Sequence, residues 1–247
     1  MVDAMKAETV RIAGNGGDEI EAYLAQPLVP GTFGGVVVLH HLPGYDEATK
    51  EITRKIADHG YLAICPNLYS REAPGASPDD AAATVRAAGG VPDEQVVGDV
   101  AGAATFLKSL ASSNGKVGSI GYCSGGRHSF LVACSLTLDA AVDCYGGAVV
   151  GPPPAQSGLK MVPLLDIAKD LSCPLLGLFG ADDRFPSPDQ VGELERELTA
   201  HDKEFEFHSY EGASHAFFSV DRPSYRPEAA VDGWRKVWDF FGRTLAS

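Results

Sequence analysis

The 247-residue chain has no apolar run approaching the ~20 residues that a membrane-spanning helix requires. Its opening residues, Met1 to Lys6, lack the apolar core of a secretory signal. Basic residues are scarce, with 20 Lys and Arg against 33 Asp and Glu and a formal net charge of -13. Nucleic acids and anionic membrane surfaces both reward clustered Lys and Arg, so neither is expected as a partner. The acidic residues are dispersed and read as a solvated surface. The five cysteines are odd in number and contain no C-x-x-C pair. That argues against a disulfide framework and for a reducing compartment, so a cytoplasmic, soluble protein is expected. No standard metal-ligand spacing occurs, and no metal is expected. Repeats, charge blocks and interdomain linkers are also missing, so residues 1–247 are expected to form one domain, as a monomer or small homo-oligomer.

What is present is a regular alternation. Thr9 to Ile12 and Ile20 to Leu24 flank Gly14-Asn15-Gly16-Gly17-Asp18, a hairpin signal. Gly35 to His40 is continuously apolar up to its last residue, as in a strand buried on both faces of a parallel sheet. The loop His40 to Tyr45 leads to a helix over Asp46 to His59 stopped by Gly60, then a strand over Tyr61 to Cys65. A short helix over Pro78 to Ala88 and an amphipathic one over Asp93 to Leu110 follow. Strands are predicted at Val117 to Ile120, Ala140 to Tyr145, Pro174 to Phe179 and Glu204 to Tyr210. Helices are predicted at Ser129 to Leu136, Pro188 to Ala200 and Glu228 to Leu245. Gly146 to Leu159 is the longest irregular segment and reads as a surface loop or a lid. Strands alternating with helices predict an α/β fold with a doubly wound, mostly parallel sheet.

Between the strand at Val117 and the helical run lies Gly121-Tyr122-Cys123-Ser124-Gly125-Gly126. A nucleophile flanked two places away by glycine, between strand and helix, is the nucleophile elbow of α/β-hydrolases, here with cysteine. By itself the pattern fits equally well a Gly-rich turn with a structural cysteine. The chain order adds weight. In such sheets the site lies beyond the carboxyl ends of the strands. Cys123, the acidic pair Asp182-Asp183 and His215 fall there in the hydrolase order of nucleophile, acid and histidine. His215 would take the thiol proton and a carboxylate, Asp183 rather than Asp182, would orient it. The backbone N–H groups of Ser124 and Leu42 would form an oxyanion hole. His41 and Tyr145 are candidate pocket residues. His40 is expected to hydrogen-bond a neighbouring loop. Cys65, Cys134, Cys144 and Cys173 read as small core residues. His59, His128, His201 and His208 read as helix-face or surface residues.

These motifs resemble the dienelactone hydrolase (carboxymethylenebutenolidase) family over nearly the whole chain. The elbow, Gly60 to Arg71, Gly180-Ala181-Asp182-Asp183-Arg184-Phe185, Tyr210-Glu211-Gly212-Ala213-Ser214-His215-Ala216-Phe217 and Arg222-Pro223-Ser224-Tyr225 carry the likeness. The resemblance selects Asp183 over Asp182. It implies an α/β-hydrolase fold, no cofactor, and a Cys-His-Asp triad that cleaves a small ester or enol-lactone through an acyl-cysteine. Two positions depart from the family. Its Gln-Glu after the first long strand is His40-His41 here, and that glutamate helps to generate the thiolate. Its substrate-carboxylate arginine after the histidine is Ser219, which leaves Arg86 and Arg222 as loosely aligned substitutes. The competing reading is a non-hydrolytic small-ligand binder or thiol sensor on the same scaffold.

Overall fold

Most strands of the central sheet are legible as apolar runs because they are covered on both faces. The computed structural model describes residues 2, 4–42 and 44–246; Pro43, in the loop that follows the first long strand, lies outside the described residues, as do Met1, Asp3 and Ser247. Eight strands form one sheet: β1 Met5–Ala13, β2 Glu19–Pro27, β3 Phe33–Leu39, β4 Leu62–Pro66, β5 Ser113–Tyr122, β6 Ala140–Cys144, β7 Leu175–Gly180 and β8 Phe205–Tyr210. Their spatial order is β1-β2-β4-β3-β5-β6-β7-β8. Strands β3 to β8 run parallel, and the β1-β2 hairpin joins antiparallel through β2 and β4. This is the mostly parallel α/β sheet expected from the sequence.

Alternation along β3 divides the interior. Val36 and Val38 face a core shared with α1 (Glu47–Asp58) and α6 (Pro227–Thr244). Val37 and Leu39 face the core covered by α2 (Pro78–Ala88), α3 (Asp93–Ser109), α4 (Ser124–Ser135) and α5 (Pro188–Ala200). All four side chains are fully buried, each stabilising by about 1.5–3 kcal/mol relative to exposure. The period of two thus gives both sheet faces an apolar surface and both helical layers something to pack on.

Local chemistry sets several boundaries. Ser187 accepts a hydrogen bond from Gln190 N–H while the Gln190 side chain accepts from Ser187 N–H, a capping box that starts α5. Asp46 caps α1 by accepting from Thr49 N–H at 2.8 Å. The hairpin strands are longer than their apolar runs, pairing from Met5↔Pro27 to Ala13↔Glu19. Strand β1 lies at a sheet edge, so ladder bonding extends it through residues such as Glu8 and Arg11 that need no burial. Helix α4 begins at Ser124, five residues before the helical pattern, because Ser-Gly-Gly-Arg-His carries no helical signature of its own. Packing imposes that turn. Arg127 is fully buried there, its guanidinium paired with both Asp93 oxygens at 2.7 and 2.9 Å. His128 is buried on α4, not at the surface, and burial first, then the Arg127 charge, lowers its pKa to about 3. Short helical turns at Ala155–Ser157 and Leu165–Asp170 break up the irregular stretch after β6. No helix among the described residues is long and apolar enough to cross a membrane.

Candidate active site

The ends of β3, β5 and β7 and the loop after β8 bring the sequence candidates to one rim of the sheet. At the β5-α4 junction, Cys123 has φ 57 and ψ -121, a left-handed conformation that only surrounding structure sustains. Its N–H donates to Cys144 O at 3.0 Å, and its carbonyl accepts from Gly126 N–H at 2.9 Å. A Cβ on Gly121 would overlap the Gly125 carbonyl, and one on Gly125 would overlap the Leu39 carbonyl. These clashes are with backbone, which explains why the two flanking positions are glycine. The thiol therefore stands at the N-terminus of α4, where the helix dipole favours an anion.

Backbone bonds join the acid and histidine loops. Ala181 N–H donates to Tyr210 O, and Asp182 N–H to Ala213 O, both at 2.9 Å. This leaves Asp182 exposed and turns Asp183 inward. Asp183 Oδ2 accepts from His215 Nδ1 at 2.8 Å, and Asp183 Oδ1 accepts from Phe185 N–H at 2.9 Å. Burial opposes a charge on His215. The hydrogen bond to Asp183 and the adjacent Cys123 sulfur outweigh it, and the imidazole is pushed up to about 10. The order matters: burial alone would lower this histidine. Cys123, Asp183, His215, Leu42, Ser124 and Phe185 line one cavity of about 320 Å³.

The other pocket candidates lie beside that cavity. His41 Nε2 donates to Asp46 Oδ2 at 2.8 Å, so Asp46 both caps α1 and holds His41. Burial works against the Asp46 charge, but the bonds from His41 and Thr49 hold its carboxyl down at about 2. His41 and Tyr145 line a neighbouring cavity, not the one containing Cys123. Tyr145 is buried at φ 45, and its ring edge meets the His215 ring with centroids 5.1 Å apart. Arg86 and Arg222 line an open groove of about 720 Å³, which shares Leu42 and Ser157 with the Cys123 cavity. His40 is buried; Leu68 N–H donates to its Nε2 at 3.2 Å, and burial lowers its pKa to about 4. Among the described residues, no group of three or more His, Cys, Asp or Glu is placed to hold a metal.

Asp143 is absent from the candidates read in the sequence, although an acidic residue inside the apolar run of β6 is itself a signal. It is buried, and its Oδ1 accepts from Gly146 N–H at 2.7 Å, fixing the turn beside the elbow. Burial first raises its pKa, with partial relief from Gly146 and His215, to about 7. The four other cysteines are free; Cys65, Cys144 and Cys173 are buried and Cys134 is half-buried.

The model of the dienelactone hydrolase family matches residues 20–245. The chain belongs to the dienelactone hydrolase family. A relative from Escherichia coli strain K12, provisionally named a carboxymethylenebutenolidase, is 36% identical over 235 residues, 91% of this chain and 83% of the relative. One from Methylorubrum extorquens with the same name is 33% identical over 224 residues, 90% of this chain and 76% of the relative. A crystal structure from Klebsiella pneumoniae, provisionally named a dienelactone hydrolase, superposes with a TM-score of 0.86 at 31% identity. It covers 98% of this chain and 100% of that one. The chain is thus an ester or lactone hydrolase with the α/β fold of dienelactone hydrolases.

Proposed function

We propose that this dienelactone hydrolase family member cleaves a small ester or lactone through an acyl-cysteine on Cys123, with His215 and Asp183 completing the triad. The observation that carries the reading is the Asp183–His215 hydrogen bond of 2.8 Å in the same cavity as Cys123. Against the effect of burial, the bond to Asp183 and the adjacent Cys123 sulfur push His215 up to about 10, which makes the imidazole a base strong enough to take the thiol proton. His41 is engaged by Asp46, so thiolate formation rests on His215 rather than on a partner at the position of the family's glutamate.

The thiolate attacks the carbonyl carbon, and the carbonyl π electrons move to oxygen. Backbone N–H groups of Ser124 and Leu42, both lining the cavity, would receive that oxyanion. Collapse breaks the C–O bond, and the leaving alkoxide takes the proton from His215. His215 then removes a proton from water, whose oxygen attacks the acyl carbon and expels the thiolate with the carboxylic acid as product. The Arg86–Arg222 groove adjoining the cavity suits a substrate with a carboxylate on one arm. The carboxymethylene group in the relatives' names fits that chemistry.

Hydrolysis of p-nitrophenyl acetate and of a lactone panel, with and without a carboxylate, tests the proposal in wild type, Cys123→Ala and His215→Ala. Both variants are expected to lose at least a hundredfold in kcat/KM, in keeping with the ~10²–10⁴ that positioned acid–base groups contribute. Undiminished turnover in either variant refutes the triad. Reversible oxidation of Cys123 without any turnover supports a thiol sensor instead.

A further inference from the structure

A second cavity, of about 310 Å³, adjoins the first and shares no lining residue with it. The partition is one residue thick along the chain. His41 lines one side and Leu42 the other; Tyr122 lines one side and Cys123 the other. Across the third boundary, Tyr145 on the inner side presses its ring edge against His215. Tyr145 keeps this place in a left-handed conformation unusual for a bulky residue, so the surrounding packing holds it there.

The walls have a definite chemistry. Tyr122, Tyr145, Phe218 and Trp234 present aromatic surface, and Ile52 adds an aliphatic side. Rings on several sides favour a flat aromatic guest through stacked and edge-to-face contacts. The Tyr122 hydroxyl is sealed inside the wall, so its ring alone borders the space. One charged donor borders the same space. Lys55 Nζ stands over the Trp234 ring, 4.1 Å from its centroid, without a salt bridge among the described residues. The rim carboxylate of Glu51 is already paired with Arg54, and Asp221 is exposed at the mouth. An aromatic body and an ammonium together describe an aromatic ring carrying a carboxylate.

We propose that this cavity binds an aromatic carboxylate at a site separate from the nucleophile. The inference goes beyond the hydrolytic reading and does not depend on it. A ligand there bears on Tyr145 and so on the ring whose edge meets His215.

The test uses the full chain and 2-naphthoate as probe, followed by isothermal titration calorimetry. Saturable one-to-one binding is expected, unchanged in Cys123→Ala and after alkylation of Cys123 with iodoacetamide. Ser219→Phe and Ile52→Phe, which fill the space from two different elements, should each weaken it at least tenfold. Lys55→Met should weaken 2-naphthoate about fivefold or more and leave neutral 2-naphthamide unchanged. Circular dichroism melts confirm that each variant is folded. No saturable binding at millimolar probe overturns the proposal, as does binding insensitive to both filling variants. Loss of binding on alkylation of Cys123 also overturns it, because the ligand would then occupy the catalytic cavity. Loss of hydrolysis in Cys123→Ala has no bearing on these outcomes, so the two readings fail separately.

Discussion

Replacing Asp183 with Asn removes the charge that faces His215 and leaves its volume nearly unchanged. The carboxylate accepts from His215 Nδ1 at 2.8 Å, which puts the charge centres ~4 Å apart and the interaction near 4 kcal/mol at an effective dielectric of ~20. The His215 side chain is 36% exposed, against 3% for Asp183, so water screens the pair and about half that figure is a fair expectation. About 2 kcal/mol corresponds to about 1.5 pH units. In Asp183→Asn, His215 should therefore titrate about 1.5 units below the wild-type value of about 10, with burial now less opposed. The sign for stability follows. A histidine raised above its ordinary value of ~6.5 contributes stability fully present below that value and lost as pH rises through about 10. The variant should lose most of this alkaline dependence. Proton NMR of the histidine ring signals gives the titration, with His215→Gln supplying the assignment, and thermal melts across pH 6 to about 10.5 give the stability. Hydrolysis at pH ~7 should fall roughly a hundredfold or more, because the amide no longer fixes one tautomer and orientation. An unshifted His215 titration, or hydrolysis within twofold of wild type, refutes the argument.

Other consequences are equally direct. Brief treatment with one equivalent of iodoacetamide at neutral pH should label Cys123 first by peptide mass spectrometry, because burial pushes the Cys134 and Cys173 thiols up to about 12 and raises Cys65 and Cys144 as well; comparable early labelling of those four would refute this. Arg127→Ala should destabilise the protein by about 3 kcal/mol in urea titration, since it deletes a fully buried guanidinium bonded to Asp93, Ala148 O and Val162 O. Arg86→Ala and Arg222→Ala should raise KM about fivefold or more for esters that carry a carboxylate and leave neutral esters unaffected; equal effects on both substrate types would remove the groove from substrate binding. Gly125→Ala should fail to give a stable, active protein, because its Cβ would overlap the carbonyls of Leu39 and His40; a melting temperature near wild type would refute that.

The sequence by itself determined the alternation of strands and helices, because two-sided burial writes continuous apolar runs such as Gly35 to Leu39 and one-sided burial writes the 3.6 period of α3. It also determined the order of Cys123, Asp183 and His215, since an elbow needs glycines at fixed spacing and sheet topology sends successive loops to one rim. It did not reveal the first turn of α4, where polar and glycine residues are helical only because β5 and the surrounding layers enclose them. The family resemblance pointed to Asp183, and the tertiary structure supplied the means by which that carboxylate meets His215. Backbone bonds from Ala181 and Asp182 to the loop after β8 turn Asp183 inward, a register that no local pattern encodes. The tertiary structure alone placed His41 and Tyr145 in the cavity beside that of Cys123, because only the packed neighbours of each residue decide which space its side chain borders.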